Sequence, residues 1–85
     1  MYDVRVTKTA QQQLVKLPLS VQAFAQAVFD RLRMWPDVSG AKPLRHELKG
    51  SYRIRTGDYR ILFTVDVPQD RIVVFRIANR RDVYE

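Results

Sequence analysis

Three arginines lie close together in the sequence, on both sides of the pair Gly57-Asp58: they are Arg53, Arg55 and Arg60. A guanidinium group is planar, keeps its positive charge in proteins, and presents N–H donors in a fork that matches two phosphate oxygens. Such a group can bind a phosphate and stabilise negative charge that develops on it, but it cannot act as a base. These residues therefore become candidates for phosphate chemistry if the fold brings them together.

The pair Gly57-Asp58 is typical of a two-residue β-hairpin turn. This turn would put Arg55 opposite Arg60, on the same face of the hairpin as Arg53. The other face is predicted to be apolar and to consist of Tyr52, Ile54, Ile61 and Phe63. Like charges directly opposite each other destabilise a sheet by up to about 1 kcal/mol, so this arrangement is unfavourable for stability alone. A polyphosphate across the face would remove the repulsion through charge-assisted hydrogen bonds.

The composition also favours an anionic partner. Fifteen Lys and Arg residues against nine Asp and Glu give a formal net charge of +6, and eleven of the fifteen are arginine. A basic surface without a specific partner explains the charge equally well. The positions of the arginines must therefore decide between the two explanations.

The length and residue types limit what the chain can be. We expect a single domain over residues 1–85, because a second core could not bury enough apolar surface. The absence of cysteine excludes disulfides and thiolate chemistry, and a zinc site would depend on His46 and carboxylates alone. We therefore expect no metal and no cofactor. Without a signal segment or an apolar run of roughly 18 residues, we expect a cytoplasmic protein with no membrane partner.

The N-terminal part begins with the alternating segment Tyr2–Val6, which predicts a short half-buried strand. The segment Lys8–Leu17 has helical apolar spacing, with Thr7 or Thr9 as the N-cap and Pro18 as its end.

A second helix is predicted to begin after Ser20, its expected N-cap, and to end at Pro36. Its apolar stripe is predicted to consist of Val21, Phe24, Val28, Leu32 and Trp35. Because only a short break separates the two helices, they should form an antiparallel hairpin.

The rest of the chain is predicted to form four strands: Leu44–Lys49, Tyr52–Thr56, Tyr59–Val67 and Arg71–Ala78. In the first of these, His46 alternates with leucines and is expected to pack in the core. The order β-α-α-β-β-β-β predicts an α+β fold, in which the N-terminal strand and the helical hairpin pack on one face of an antiparallel sheet. The other face would remain free.

Several segments, taken in order, resemble the RelE branch of the RelE/ParE toxin superfamily. They are Lys8–Pro18, Pro43–Arg45, Lys49–Phe63, Val73–Ile77 and Asn79–Tyr84. The resemblance implies a RelE-like toxin of a toxin–antitoxin system, acting as a ribosome-dependent endoribonuclease (mRNA interferase). In that family the 2′-hydroxyl of the message attacks the adjacent phosphate without a metal and leaves a 2′,3′-cyclic phosphate. The implied partners are a cognate acidic antitoxin, the ribosome and messenger RNA.

The resemblance also implies roles for individual residues. Arg53 and Arg55 would stabilise the phosphate charge, and Arg60 would stabilise the transition state. Arg80 would be a general acid or a further charge stabiliser, and Tyr84 a base or a base-stacking group. Residues expected to bind RNA are Lys49, Arg45 and Arg81.

Two other functions are compatible with the same residues. One is a ParE-like poison of DNA gyrase, which shares the fold but not the chemistry. The other is an RNA-binding module without catalytic activity, which would use the same arginines and exposed aromatic side chains.

Overall fold

The computed structural model describes residues 1–45, 50–79 and 81. Within these residues the predicted order of elements is confirmed. The elements are β1 (Asp3–Val6), α1 (Lys8–Val15), α2 (Leu19–Leu32), β2 (Lys42–Pro43), β3 (Ser51–Thr56), β4 (Tyr59–Asp66) and β5 (Arg71–Asn79).

The strands form one sheet in the order β1-β5-β4-β3-β2. The pairs β2·β3, β3·β4 and β4·β5 are antiparallel, whereas β1 runs parallel to β5. The predicted α+β class is confirmed, and the parallel pair makes the sheet mixed. Alternation of side chains along β1 predicts its buried face but not its neighbour, so the sequence pattern alone did not reveal this pairing.

The turn between β3 and β4 has the predicted form. Gly57 adopts φ of 61°, in the left-handed region that glycine occupies without penalty. Arg55 therefore lies opposite Arg60, and Ile54 lies opposite Ile61. The predicted register of this hairpin is confirmed at every pair.

The helices are shorter than predicted at their C-terminal ends. The hydroxyl of Thr7 accepts a hydrogen bond of 3.1 Å from the Ala10 N–H and caps α1, which ends at Val15 instead of Leu17. The prediction of a Ser20 cap is wrong, because α2 already begins at Leu19 and Pro18 precedes it without a side-chain cap. Proline suits this position because its fixed φ fits the start of a helix and it has no N–H to satisfy.

The buried stripe of α2 is rotated from the predicted one. Phe24 is 62% exposed, and the core side of the helix is formed by Ala25, Val28, Phe29 and Leu32. Helix α2 ends at Leu32, so Trp35 lies in the turn that follows. Trp35 nevertheless packs against the core, with its ring centroid 4.8 Å from that of Tyr52 and 5.6 Å from that of Phe63.

The core lies between the two helices and one face of the sheet. Its fully buried members on the sheet include Phe63, Ile61, Ile72 and Val74, and Ile54 is 2% exposed. Tyr2, Val4 and Val6 pack against this cluster from β1, as the alternation predicted. Burial of these side chains from both layers is the main source of stability in such a domain.

The strand predicted over Leu44–Lys49 is wrong in its starting point. The observed β2 is Lys42–Pro43, which pairs with Tyr52 and Arg53 of β3. A proline is tolerated here because β2 is an edge strand, where one side of the backbone needs no partner. The Leu44 N–H still donates to the Ser51 carbonyl at 2.9 Å. Residues 46–49, including His46, lie outside the described part of the chain, so the prediction for His46 stays a prediction.

Strand β5 contains a bulge. Val74 lies opposite Phe63, but Arg76 lies opposite the adjacent Leu62, so Phe75 has no direct partner in β4. A bulge of this kind inserts one extra residue and reverses which side chains face which side of the sheet.

Beyond the bulge, the N–H of Ile77 donates to the Gln13 side-chain oxygen at 2.8 Å. This bond ties α1 to the end of β5. Neither helix in the described part of the chain is long and apolar enough to cross a bilayer.

Candidate nucleic-acid interface

The sheet face that points away from the helices carries the arginines singled out from the sequence. On β3 and β4, Arg53, Arg55 and Arg60 alternate with Ile54 and Ile61, which are buried in the core. We call the side that holds these three residues the arginine face. The prediction that the hairpin brings them to one face is confirmed by the register.

Their exposure differs from the prediction of a free, solvated face. Arg55 is exposed and Arg60 is half-buried, but Arg53 is only 8% exposed. The face also contains buried apolar residues of its own, since Leu62 is 0% and Leu44 4% exposed. The expectation that all three arginines lie in solvent is therefore wrong for Arg53, whose neighbours on this face include a second, smaller apolar patch.

Arg53 can be reached through a cavity at the edge of the sheet. This cavity has a volume of about 320 Å³ and is lined by Lys42, Pro43, Leu44, Arg45 and Arg53. Three of its five lining residues are cationic. An anion that entered it would meet three donors in a partly enclosed space, where charge interactions are stronger than in bulk water.

A second cavity lies next to the turn. It has a volume of about 270 Å³ and is lined by Arg55, Gly57, Tyr59 and Arg60. The two guanidinium-bearing residues are direct partners across the strands. A phosphate between them would receive hydrogen bonds from both and would neutralise their repulsion.

The other predicted site residues are only partly described. Arg45 is exposed and lines the first cavity. Arg81 is exposed just beyond β5, and its N–H donates to the Asn79 side-chain oxygen at 3.1 Å. Lys49, Arg80 and Tyr84 lie outside the described residues, so their roles stay predictions.

Two cationic residues on this face were missed by the sequence reasoning. Lys42 lies opposite Arg53 on the edge strand β2, and Arg76 lies opposite Leu62 on β5. The structure shows why Arg76 was missed: along β5 the buried residues Ile72 and Val74 are two apart, but the next buried one is Ile77. A step of three in an alternating strand indicates a bulge.

The opposite end of the same face has a different charge character. Asp66 and Asp3 flank Arg71 there, one on each neighbouring strand. Asp3 also accepts a 2.8 Å hydrogen bond from Arg5. The positive potential of the face is therefore concentrated toward the turn end, around the two cavities.

Comparison with known proteins identifies the family. Residues 4–84 match the family described as "ParE toxin of type II toxin-antitoxin system, parDE". The toxin RelG of Mycobacterium tuberculosis is 39% identical over 84 residues, covering 98% of this chain and 95% of RelG. The toxin RelE of the same organism is 37% identical, covering 98% of this chain and 86% of that protein.

Solved structures agree. A chain of the toxin–antitoxin complex RelBE2 from M. tuberculosis superposes with a TM-score of 0.81 and 34% identity, covering 93% of this chain and 98% of that one. The isolated RelE toxin of E. coli gives a TM-score of 0.77, covering 93% of this chain and 84% of that one, and its 16% identity speaks for the fold alone. The resemblance drawn from the sequence is confirmed. This chain belongs to the RelE/ParE family, and it is the toxin of a type II toxin–antitoxin system.

Proposed function

We propose that this toxin is a ribosome-dependent endoribonuclease that cleaves messenger RNA. The observation that carries the proposal is the cross-strand pair of Arg55 and Arg60, with Arg53 on the same face. Two guanidinium groups held opposite each other can both donate to one anion, and like charges at this spacing favour its binding. The similarity to toxins named RelG and RelE supports the same conclusion.

The reaction begins with the 2′-hydroxyl oxygen attacking the phosphorus atom on its own 3′ side. A new O2′–P bond forms, the bond from phosphorus to the 5′-oxygen of the next nucleotide breaks, and the products carry a 2′,3′-cyclic phosphate and a 5′-hydroxyl. The 2′-hydroxyl proton must be accepted by a base, and the leaving 5′-oxygen must receive a proton. During the attack, additional negative charge develops on the phosphate oxygens.

The arginines are suited to the charge that develops in this reaction. Arg60 is half-buried, so its charge acts through a lower effective dielectric than bulk water provides. We assign Arg60 to transition-state stabilisation, and Arg53 and Arg55 to binding the phosphate. Because a guanidinium keeps its proton, none of the three serves as the base. In the same proposal, Tyr84 is the base or a base-stacking group. Arg80 is the general acid or a further charge stabiliser.

An acidic antitoxin is the proposed regulatory partner. Several similar solved structures are complexes of RelE with RelB, and two of these are toxin–antitoxin complexes. A chain with a net charge of +6 favours an anionic protein that covers the arginine face or the helical hairpin. Co-expression with the product of a neighbouring antitoxin gene should relieve growth inhibition, and the two proteins should purify together.

The match to the family described as ParE toxins favours a second candidate, inhibition of DNA gyrase. The two candidates differ in their macromolecular target. Gyrase inhibition would leave messenger RNA intact and would not require a 2′-hydroxyl.

Purified toxin should be incubated with programmed ribosomes, and in parallel with gyrase and relaxed plasmid. The proposal predicts message fragments with 2′,3′-cyclic phosphate ends, and no cleavage of a message with 2′-deoxyribose at the cut nucleotide. Inhibited supercoiling with an intact message would replace the proposal by the gyrase candidate. Salt-dependent RNA binding without scission in either assay would leave only a binding module.

A further inference from the structure

The bulge in β5 changes the charge of the arginine face. Without the extra residue, alternation would turn Arg76 toward the helices, together with Ile72 and Val74. Instead, Ile77 takes the core position opposite Ile61 and is 3% exposed. Arg76 thereby faces the same way as Arg53. Bulges that redirect a side chain in this way are frequent next to functional sites.

The cross-strand partners on this face form two rows. The bulge row consists of Lys42, Arg53, Leu62 and Arg76, one residue from each of β2, β3, β4 and β5. The turn row consists of Arg55, Arg60 and Ala78. Each row therefore contains at least two cations, and the cations of the bulge row lie on both sides of the buried Leu62.

The distance between the rows fits a nucleic-acid strand. The rows are two residues apart along β3 and β4, which corresponds to about 6.8 Å at the usual rise of an antiparallel strand. Successive phosphates of an extended single strand are separated by a distance of the same order. A strand of RNA that ran along β3 and β4 could therefore set one phosphate on each row.

We infer that the bulge row is a second phosphate subsite, in which Arg76 and Lys42 bind the phosphate next to the one that is cleaved. This inference rests on the proposed function, in which the cleaved phosphate lies at Arg55 and Arg60 of the turn row and Arg53 reaches it from the neighbouring bulge row. Arg76 approaches this phosphate from β5, and Lys42 approaches it from the sheet edge beside the 320 Å³ cavity. The ligand class is single-stranded RNA with at least two consecutive phosphates.

The distribution of charge limits the alternatives. Beyond the bulge row, away from the turn, the face carries Asp66 and Asp3 on either side of Arg71, and Asp3 is also paired with Arg5. The two carboxylates balance the two arginines, so this end attracts an RNA backbone less than the turn end does. The described part of the face thus has room for two adjacent phosphates at its cationic end, and the two rows supply the cations for them.

The test is the salt dependence of binding to a fluorescent 2′-O-methyl hexanucleotide, which cannot be cleaved because its nucleophile is blocked. Arg76→Gln should weaken binding about tenfold at low salt, as expected for a charge-assisted contact. The slope of log affinity against log salt should fall by about 0.7, the value for one phosphate contact to a single strand. Lys42→Gln, on an exposed edge position, should lower the slope in the same way without affecting the fold.

Arg33→Gln is the matched control, because it removes the same charge from the exposed end of α2. If Arg76→Gln and Lys42→Gln have the same slope and affinity as Arg33→Gln, the subsite does not exist. If Arg76→Gln does not fold, the binding slope of Lys42→Gln tests the subsite by itself, because Lys42 belongs to the same row. Because the probe is uncleavable, this result is independent of whether the wild-type toxin cuts a message.

A second experiment tests whether the phosphate bound by the bulge row is next to the cleaved one. It uses ribosome-bound messages that carry one neutral methylphosphonate linkage beside the cleavage site. For one of the two flanking linkages, neutralisation should slow wild-type cleavage and should cause a smaller loss in Arg76→Gln, where only the Lys42 contact remains to be lost. Losses that multiply at both linkages would show that Arg76 does not contact the neighbouring phosphate. An uncut message with a normal binding slope would reject the proposed function and leave the phosphate contact in place.

Discussion

Replacing Arg55 by glutamine should make the protein more stable while weakening its binding to RNA. Arg55 is exposed, and its cross-strand partner is Arg60. Because Arg55 is exposed, water screens the pair, and for two unit charges about 6 Å apart Coulomb's law then gives a repulsion of about 0.7 kcal/mol. This is of the same size as other cross-strand pair interactions in a sheet, which reach about 1 kcal/mol.

We therefore expect Arg55→Gln to raise the free energy of unfolding by about 0.7 kcal/mol at low salt. For a domain of this size, that corresponds to an increase in melting temperature of about 3–6 °C. The gain should disappear in 1 M salt, where the Debye length falls to about 3 Å. Urea denaturation and thermal melts at low and high salt measure both quantities.

Two variants control for effects other than repulsion. Arg55→Lys keeps the charge and should leave stability nearly unchanged. Arg33→Gln removes the same charge at the C-terminal end of α2, where a cation is favourable, so it should destabilise by about 0.3–1 kcal/mol. No gain in Arg55→Gln, or a gain of equal size in 1 M salt, would refute the claim that the pair is held together against repulsion.

Three further variants test the fold around the arginine face. Gly57→Ala should destabilise the protein by about 1–2 kcal/mol. The cost comes from backbone conformation alone, because φ is +61° and an added Cβ would meet nothing within 4 Å. Gly57→Asn should cost less in the same melts. Leu62→Ala should lower the free energy of unfolding by about 2–5 kcal/mol in urea titrations, since this leucine is fully buried; a cost under 1 kcal/mol would contradict its burial. Gln13→Ala should lower the free energy of unfolding by about 1 kcal/mol, because it removes the acceptor for the Ile77 N–H. Gln13→Glu keeps the acceptor and should retain most of the stability. Faster amide exchange at Ile77 in the alanine variant only would verify the bond.

The hairpin of the candidate site could be predicted from local sequence. A two-residue turn fixes the register of both strands, and alternation then assigns each side chain to a face. Arg55, Arg60 and Ile61 are all on the predicted sides. The fold class followed in the same way from the order of the periodic segments.

The features that the sequence pattern predicted wrongly depend on contacts between distant parts of the chain. The burial of Arg53 accompanies the pairing of Lys42 with it, and β2 is only two residues long and contains a proline. A local pattern gave no reason to predict a strand there. The rotated stripe of α2 left Phe24 exposed because both sides of the helix carry apolar residues, and only packing chooses between them.

Arg76 was missed for a different reason. The continuous apolar run before it, ending in Phe75, conceals any change in alternation. The bulge is visible only in the pairing of β4 with β5. Residues delivered to a site by such an irregularity are difficult to predict, because their side of the sheet depends on one unpaired residue.

The role of the arginine face is tested most directly by the single-turnover rate at which saturating toxin cleaves a ribosome-bound message. Arg60→Ala should reduce this rate by about 10²–10³-fold, the usual loss when one group that stabilises developing charge is removed. Arg60→Lys should recover part of the rate, and Arg33→Ala, away from the arginine face, should match wild type. An Arg60→Ala rate within a few-fold of wild type, with the fold intact, would contradict the claim that the arginine face stabilises the transition state.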